Sequence, residues 1–167
     1  MTRQRAAHCG ADFDRLGYGE ISRGGKVLRA LGNPSFEAVL LIRTAQCDSR
    51  YVYHLCRWAL LSVFAIDVGR SVSVGRGLYL PHPVGVVIGA GVELGEGVTL
   101  YQNVTLGLKN GGCPRIEDGV VVYPGSVIVG PIVVGRGAVV GANSFVDRDV
   151  APHTTVYGSS GTARPGA

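Results

Sequence analysis

An aliphatic residue returns at every sixth position through the second half of this chain. The series runs Val74 and Leu80, then Ile88, Leu94, Leu100 and Leu106, then Ile116, Val122, Ile128, Val134, Val140 and Val146. Glycine commonly follows, at Gly75, Gly89, Gly95, Gly107, Gly135 and Gly141. Neither the 3.6-residue period of a helix nor the two-residue period of a strand produces such a series. A coil with flat sides does. Each side holds a short strand and a tight turn, and points one aliphatic side chain inward. Small residues at the turns allow backbone angles that a Cβ disfavours. Stacked coils then form an inner aliphatic column with continuous parallel hydrogen bonding. One such repeat cannot bury its own apolar face, so the length of the series is itself an argument for a solenoid.

The rhythm breaks twice. Leu80 to Ile88 is eight residues, and Leu106 to Ile116 is ten, filled by "GLKNGGCPR". In a rigid column, extra residues must bulge outward, and loops on a rigid scaffold are where sites are usually found. The first break, "LYLPHPVGVVIG", places His82 between Pro81 and Pro83.

Residues 1 to about 66 carry a different pattern. "NPSFEAVLLIRTAQ" (Asn33 to Gln46) opens with turn residues and continues with helix formers, with Phe36, Val39, Leu40 and Ile42 on one face. "DSRYVYHLCRWALLSVF" reads as a second helix, capped by Asp48 or Ser49. Both helices need something to pack on, since isolated helices of this length are marginal.

Composition narrows the function classes. The chain has 167 residues, a length that suits one domain with a small N-terminal appendage. Apolar residues make up 46% and charged residues 17%, which excludes a disordered chain. The net charge of +4 suits a pocket for a phosphorylated small molecule. No dense basic stripe with interleaved aromatics is present, so no nucleic-acid partner is expected. Cys9, Cys47, Cys56 and Cys113 have neither CxxC nor paired-histidine spacing; free thiols and no metal site are expected. "MTRQRAAHCGADFD" lacks a signal-peptide core, and the longest apolar stretch, Trp58 to Ile66, is too short to span a bilayer. These features predict a soluble, cytoplasmic protein. The GxG of "IGAGVELG" is explained by the hexad, and "NVT" at Asn103 has no secretory context.

The ordered segments "DVGRSVSVGRGLYLPHPVGVVIG", "NVTLG", "VGRGAVVGANSFV" and "APHTTVYGSSGTARPG" resemble the left-handed parallel β-helix acyltransferases, and among them the serine O-acetyltransferases. The resemblance covers about residues 67 to 166. It implies a mainly β fold: a left-handed parallel β-helix of about five coils over 67–167, preceded by a short helical region over 1–66. The left hand comes from the family and runs against the usual crossover preference. The resemblance also implies an acetyl-CoA-dependent acetyltransferase that works on a small-molecule hydroxyl acceptor, as a homotrimer with active sites between subunits. His82 matches the family's general base, and Asp67, fifteen residues earlier, matches the aspartate that supports it. An imidazole titrating near neutrality suits proton abstraction from a hydroxyl. Gly107, Pro124, Gly125, Ala142 and Asn143 match turn positions along the family's CoA groove, with Lys109 and Arg164 as candidate phosphate partners. His153 falls in the terminal motif with a structural role.

Two departures bear on the acceptor. Family members specific for serine have an aspartate immediately before the catalytic histidine, where this chain has Pro81. Their arginine–histidine–proline run reads "GGCPRI" here, with Gly112 and Cys113 at the arginine and histidine places, in a loop about four residues shorter. An amino acid presents a carboxylate and an ammonium, and both need aimed partners. The expectation is therefore retained chemistry with an altered acceptor: a sugar, a polysaccharide precursor or a small metabolite. The alternatives are a true serine O-acetyltransferase and a catalytically silent β-helix that serves in assembly or binding. Cys113 as a nucleophile is disfavoured, since nothing near it in sequence activates a thiol.

Overall fold

The computed structural model describes residues 11, 12, 14, 15 and 32–158. Cys9 and Arg164 lie outside the described residues.

Helix α1 spans Pro34–Ala45. Asn33 caps it, accepting from the amides of Ser35 (3.0 Å) and Phe36 (3.4 Å), and Pro34 occupies the first turn, where no amide is needed. Its buried face is Ser35, Ala38, Val39, Ile42, Arg43 and Ala45. Phe36 and Leu40, expected on that face, are only half-buried. Arg43 takes the place of an apolar residue because its charge is satisfied. It pairs with the buried Asp12 and donates to the carbonyls of Val74 (3.3 Å) and Gly75 (2.7 Å). A buried guanidinium without such partners would be strongly destabilising.

Helix α2 spans Arg50–Phe64 behind Ser49. It buries Tyr53, Cys56, Leu60 and Phe64, spaced as one helical face. Ala65 stops it in a left-handed conformation (φ 53°).

Thirteen short strands follow among the described residues: β1 (Asp67–Val68), β2 (Ser73–Val74), β3 (Val87–Ile88), β4 (Glu93–Leu94), β5 (Thr99–Leu100), β6 (Thr105–Gly107), β7 (Arg115–Ile116), β8 (Val121–Val122), β9 (Val127–Val129), β10 (Val133–Val134), β11 (Val139–Val140), β12 (Phe145–Val146) and β13 (Thr155–Val156). They form the three sides of a prism, and each strand pairs with its neighbours in parallel. Side A is β1-β3-β6-β9-β12, side B is β10-β7-β4-β2 and side C is β13-β11-β8-β5. Single parallel bridges, Tyr79 with Thr99 and Val134 with Val150, extend sides C and B by one level each. The chain thus turns A to B to C and climbs one level per circuit.

The register stacks like on like. Val68, Ile88, Leu106, Ile128 and Val146 form the inner column of side A. Every member of the six-residue series from Val74 to Val146 is at most 7% exposed. Each fully buried Leu or Ile stabilises the fold by ~1.5–3 kcal/mol. Ala38, Val39, Ile42, Leu60 and Phe64 belong to the same cluster as the coil interior, so the helices close the first coil as a lid on its apolar end.

The two breaks in the hexad lie on different edges. Residues 81–86 bulge between sides C and A on the first coil, and residues 108–114 between sides A and B on the third. No described helix is long and apolar enough to cross a membrane.

Candidate active site

His82 sits on the C–A edge at the bulge of the first coil and is exposed. Its backbone is held from two directions. Ser35 of α1, buried, donates its hydroxyl to the carbonyl of Leu80 and more distantly to that of Pro81 (3.5 Å). The amide of Val84 returns to the carbonyl of His82 (2.8 Å), and Gly85 bonds back to Phe64 (3.1 Å). Gly85 has φ 68°, and a Cβ there would lie 2.2 Å from Oδ1 of Asn103 on the coil beneath. The bulge therefore requires glycine at its far end, both for backbone angle and for space.

Asp67 opens β1 at the same edge, its amide bonded to the carbonyl of Val86 (3.0 Å). Its carboxylate is gripped by Arg57 of α2, with Nε at 2.7 Å and Nη2 at 3.0 Å. This two-bond geometry fixes the carboxylate plane. Hydrogen bonding to Asp67, reinforced by its charge, raises the pKa of the Arg57 guanidinium. So the structure brings His82 and Asp67 to one edge, while the hydrogen bonds to Asp67 come from Arg57. Arg57 was not legible as a site residue. It lies in a helix, ten residues from Asp67, and only the packing of α2 on the first coil brings the two together.

Below His82 the edge is aromatic and polar. Tyr101 lies one level down, its ring centroid 6.3 Å from the imidazole, and it stacks on Tyr123 of the next level at 5.0 Å with planes 7° apart. Gln102 follows Tyr101 on this edge. Oε1 of Gln102 is buried and has no hydrogen-bond partner among the described residues. Such an atom costs about 1–3 kcal/mol if nothing reaches it.

The residues matched to a CoA groove divide between two edges. Pro124, Gly125, Ala142 and Asn143 lie on the C–A edge below His82. Gly125 (φ 71°) would place a Cβ 2.3 Å from Oδ1 of Asn143, itself at φ 55°. Turn geometry alone demands these two residue types. Gly107 and Lys109 lie on the A–B edge, where Nζ of Lys109 is bound to Asp147 (2.8 Å) and sits 5.3 Å from the centre of the Phe145 ring. A phosphate there would have to draw Lys109 from Asp147. His153, at φ 55°, lies beside Gly137 in the last coil, where a Cβ on residue 137 would fall 2.7 Å from its Nδ1.

Gly112 and Cys113 occupy that same A–B edge. A Cβ on residue 112 would fall 2.4 Å from Cβ of Pro131, and the Cys113 thiol donates to the carbonyl of Ala90 (2.9 Å). One protomer does not bring Cys113 to His82. Cys47, Cys56 and Cys113 are free thiols. A cavity of about 200 Å³ on side B is lined by Glu93, Arg115, Glu117, Asp118 and Arg136. Its walls are the ion pairs Arg136–Asp118 (2.8 Å) and Arg115–Glu93 (3.8 Å), and none of the matched residues reaches it.

Residues 113–148 match the bacterial transferase hexapeptide (six repeats) family. The chain carries the repeat of the hexapeptide transferases and resembles them over most of its length. It is similar to the serine acetyltransferase of Escherichia coli K12, at 42% identity over 99 residues, which is 57% of this chain and 36% of that protein. A putative serine acetyltransferase of Schizosaccharomyces pombe is 31% identical over 157 residues, 89% of this chain and 58% of that protein. The structure of the Neisseria gonorrhoeae serine acetyltransferase in complex with serine superposes with a TM-score of 0.80 at 28% identity, over 94% of this chain and 68% of that one. The Entamoeba histolytica serine acetyltransferase isoform 3 in complex with cysteine gives 0.80 at 25%, over 96% and 60%. The chain thus spans about a third to two thirds of the length of these acyltransferases. The expected left-handed parallel β-helix behind a pair of helices is the architecture shared with them.

Proposed function

We propose that this acyltransferase moves an acetyl group from acetyl-CoA to a small-molecule hydroxyl, with His82 as general base. The observation that carries the reading is His82 itself, exposed on a bulge that Ser35 and Gly85 hold off the column, at the edge it shares with Asp67. The neutral imidazole takes the hydroxyl proton as the oxygen attacks the thioester carbonyl. The tetrahedral intermediate then collapses, the C–S bond breaks, and the imidazolium returns its proton to the departing CoA thiolate. Asp67 stabilises the imidazolium through its charge. Pro124, Gly125, Ala142 and Asn143 line the path of the pantetheine arm along the C–A edge. Gly107, Lys109 and Arg164 belong to the same proposal, and the separation of Gly107 and Lys109 onto the A–B edge fits a cofactor held between neighbouring subunits of a homotrimer in the cytoplasm.

Serine is the acceptor that the relatives favour. They are serine acetyltransferases by name, and one structural neighbour was solved with serine. This supports the alternative reading of the sequence over an altered acceptor. A second reading keeps one specific observation behind it. Gly112 is packed against Pro131 and the Cys113 thiol is turned to Ala90, so the family's arginine and histidine are replaced by groups that offer an amino acid no charge. The test is CoA release from acetyl-CoA, followed by thiol detection, against serine, homoserine, simple sugars and nucleotide sugars. Turnover with serine supports the first reading. Turnover with a sugar alone supports the second.

A further inference from the structure

The backbone of the His82 bulge is held by Ser35, Val84 and Gly85, but the imidazole forms no hydrogen bond among the described residues. What it meets is the ring of Tyr101, with centroids 6.3 Å apart and planes at 52°. We propose that Tyr101, held in turn by Tyr123, is a positioning residue that fixes the direction of the His82 ring. This rests on the assignment of His82 as the base.

A histidine side chain turns about two bonds, while a base has to meet the hydroxyl proton along one direction. With no hydrogen bond to orient the imidazole, packing has to limit those turns. Aromatic pairs attract at centroid separations of about 4.5–7 Å, and prefer offset or tilted planes to a face-to-face sandwich. The His82–Tyr101 pair has this geometry.

Tyr101 is itself a fixed surface. Its amide donates to the carbonyl of Val122 (3.0 Å), and the amide of Tyr123 to that of Val140 (2.9 Å), so both backbones continue the ladder of side C. The two rings stack at 5.0 Å with planes 7° apart. The register aligns Leu100, Val122 and Val140, so the residues that follow them, Tyr101, Tyr123 and Gly141, succeed one another down the edge. The aromatic pair thus occupies the two levels below His82 and stops at a glycine. The core does not require it. Leu100 and Val122 fill the inward places and are fully buried, whereas Tyr123 is 40% exposed. The stack therefore serves the edge on which the base stands.

Two measurements test this. The first needs no turnover. A nuclear Overhauser contact between the ring protons of His82 and Tyr101, assigned by their loss in His82→Ala and Tyr101→Leu, is expected in the wild-type chain. Its absence overturns the inference. The second is steady-state kinetics with acetyl-CoA and the acceptor that wild type turns over among serine, homoserine, simple sugars and nucleotide sugars. Tyr101→Leu is expected to lower kcat about tenfold and to leave both KM values within about twofold, because the ring orients the base and binds neither substrate. Tyr101→Phe, which returns a ring to the site, is expected to restore kcat to within about twofold of wild type. Tyr123→Leu removes the support and is expected to lower kcat in the same direction, an arm that stands even if Tyr101→Leu does not fold. Unchanged kcat in either leucine variant overturns the inference. So does a rise in KM alone, or a Tyr101→Phe as slow as Tyr101→Leu. Failure of the underlying reading has a separate signature: full acetyl transfer by His82→Ala.

Discussion

Gly112 and Pro131 are packed so tightly that a Cβ on residue 112 would lie 2.4 Å from the proline's own Cβ. The loop between β6 and β7 therefore lies flat on the coil beneath it. Restoring the family's arginine by Gly112→Arg is expected to destabilise the fold by ~1–3 kcal/mol through overpacking, and to give no gain in serine turnover. Thermal melting with a serine assay checks both. An arginine variant that melts like wild type and turns over serine tenfold faster would mean that this loop opens readily.

Ser35 ties α1 to the backbone just before His82, so it couples helix packing to the position of the base. Ser35→Ala leaves the buried carbonyl of Leu80 without its hydroxyl donor. It is expected to cost about 1–3 kcal/mol of stability. A loss of kcat larger than the rise in KM is also expected, since the bulge loses its anchor. Denaturant unfolding and steady-state kinetics read the two effects. Unchanged kcat with the stability loss would confine Ser35 to folding.

Gln102, next to Tyr101 on the edge below His82, carries a buried acceptor with no partner among the described residues. Gln102→Leu removes it at nearly constant volume. The variant is expected to be more stable by about 1 kcal/mol in the absence of substrates, and to bind the acceptor more weakly. Melting temperature and KM for the acceptor test this together. A destabilised variant would show that the amide is satisfied within the fold.

Burial, and then the nearby Cys47, raise the pKa of the Cys56 thiol above its ordinary value. The folded state thus favours the neutral thiol more than the unfolded chain does. That contribution to stability is complete below the ordinary thiol value of 9.0 and is lost as pH rises through the folded value. Stability should therefore fall more steeply above about pH 9 in wild type than in Cys56→Ala. Urea unfolding at several alkaline pH values compares the slopes. Identical slopes would show that Cys56 does not titrate across unfolding.

The coil was readable because its determinant is local and repeated. Each residue from Val74 to Val146 in the hexad faces the same environment, so spacing alone specifies the inner column. The bulge at His82 was readable for the same reason, as a departure from a fixed count. Helix α1 was placed to within a residue by Asn33 and Pro34, whose roles depend only on the next two amides. Its buried face was not. Arg43 is inside because Asp12 and the carbonyls of Val74 and Gly75 receive it, and those partners are set by tertiary packing. Arg57, Ser35 and the clash at Gly112 escaped notice on the same ground. Arg57 and Ser35 each join a helix to the coil, two segments with different rhythms, and Gly112 lies in an insertion outside the hexad count, so no periodicity sets it against Pro131.

The central claim is that His82 is the general base of an acetyl transfer. Its most direct test is CoA release from acetyl-CoA by wild type and His82→Ala, side by side, with the acceptor that supports turnover and with CoA binding measured in parallel. The account expects the variant to fold, to bind CoA normally, and to lose transfer by at least ~100-fold. Transfer by His82→Ala at a rate near that of wild type would contradict it.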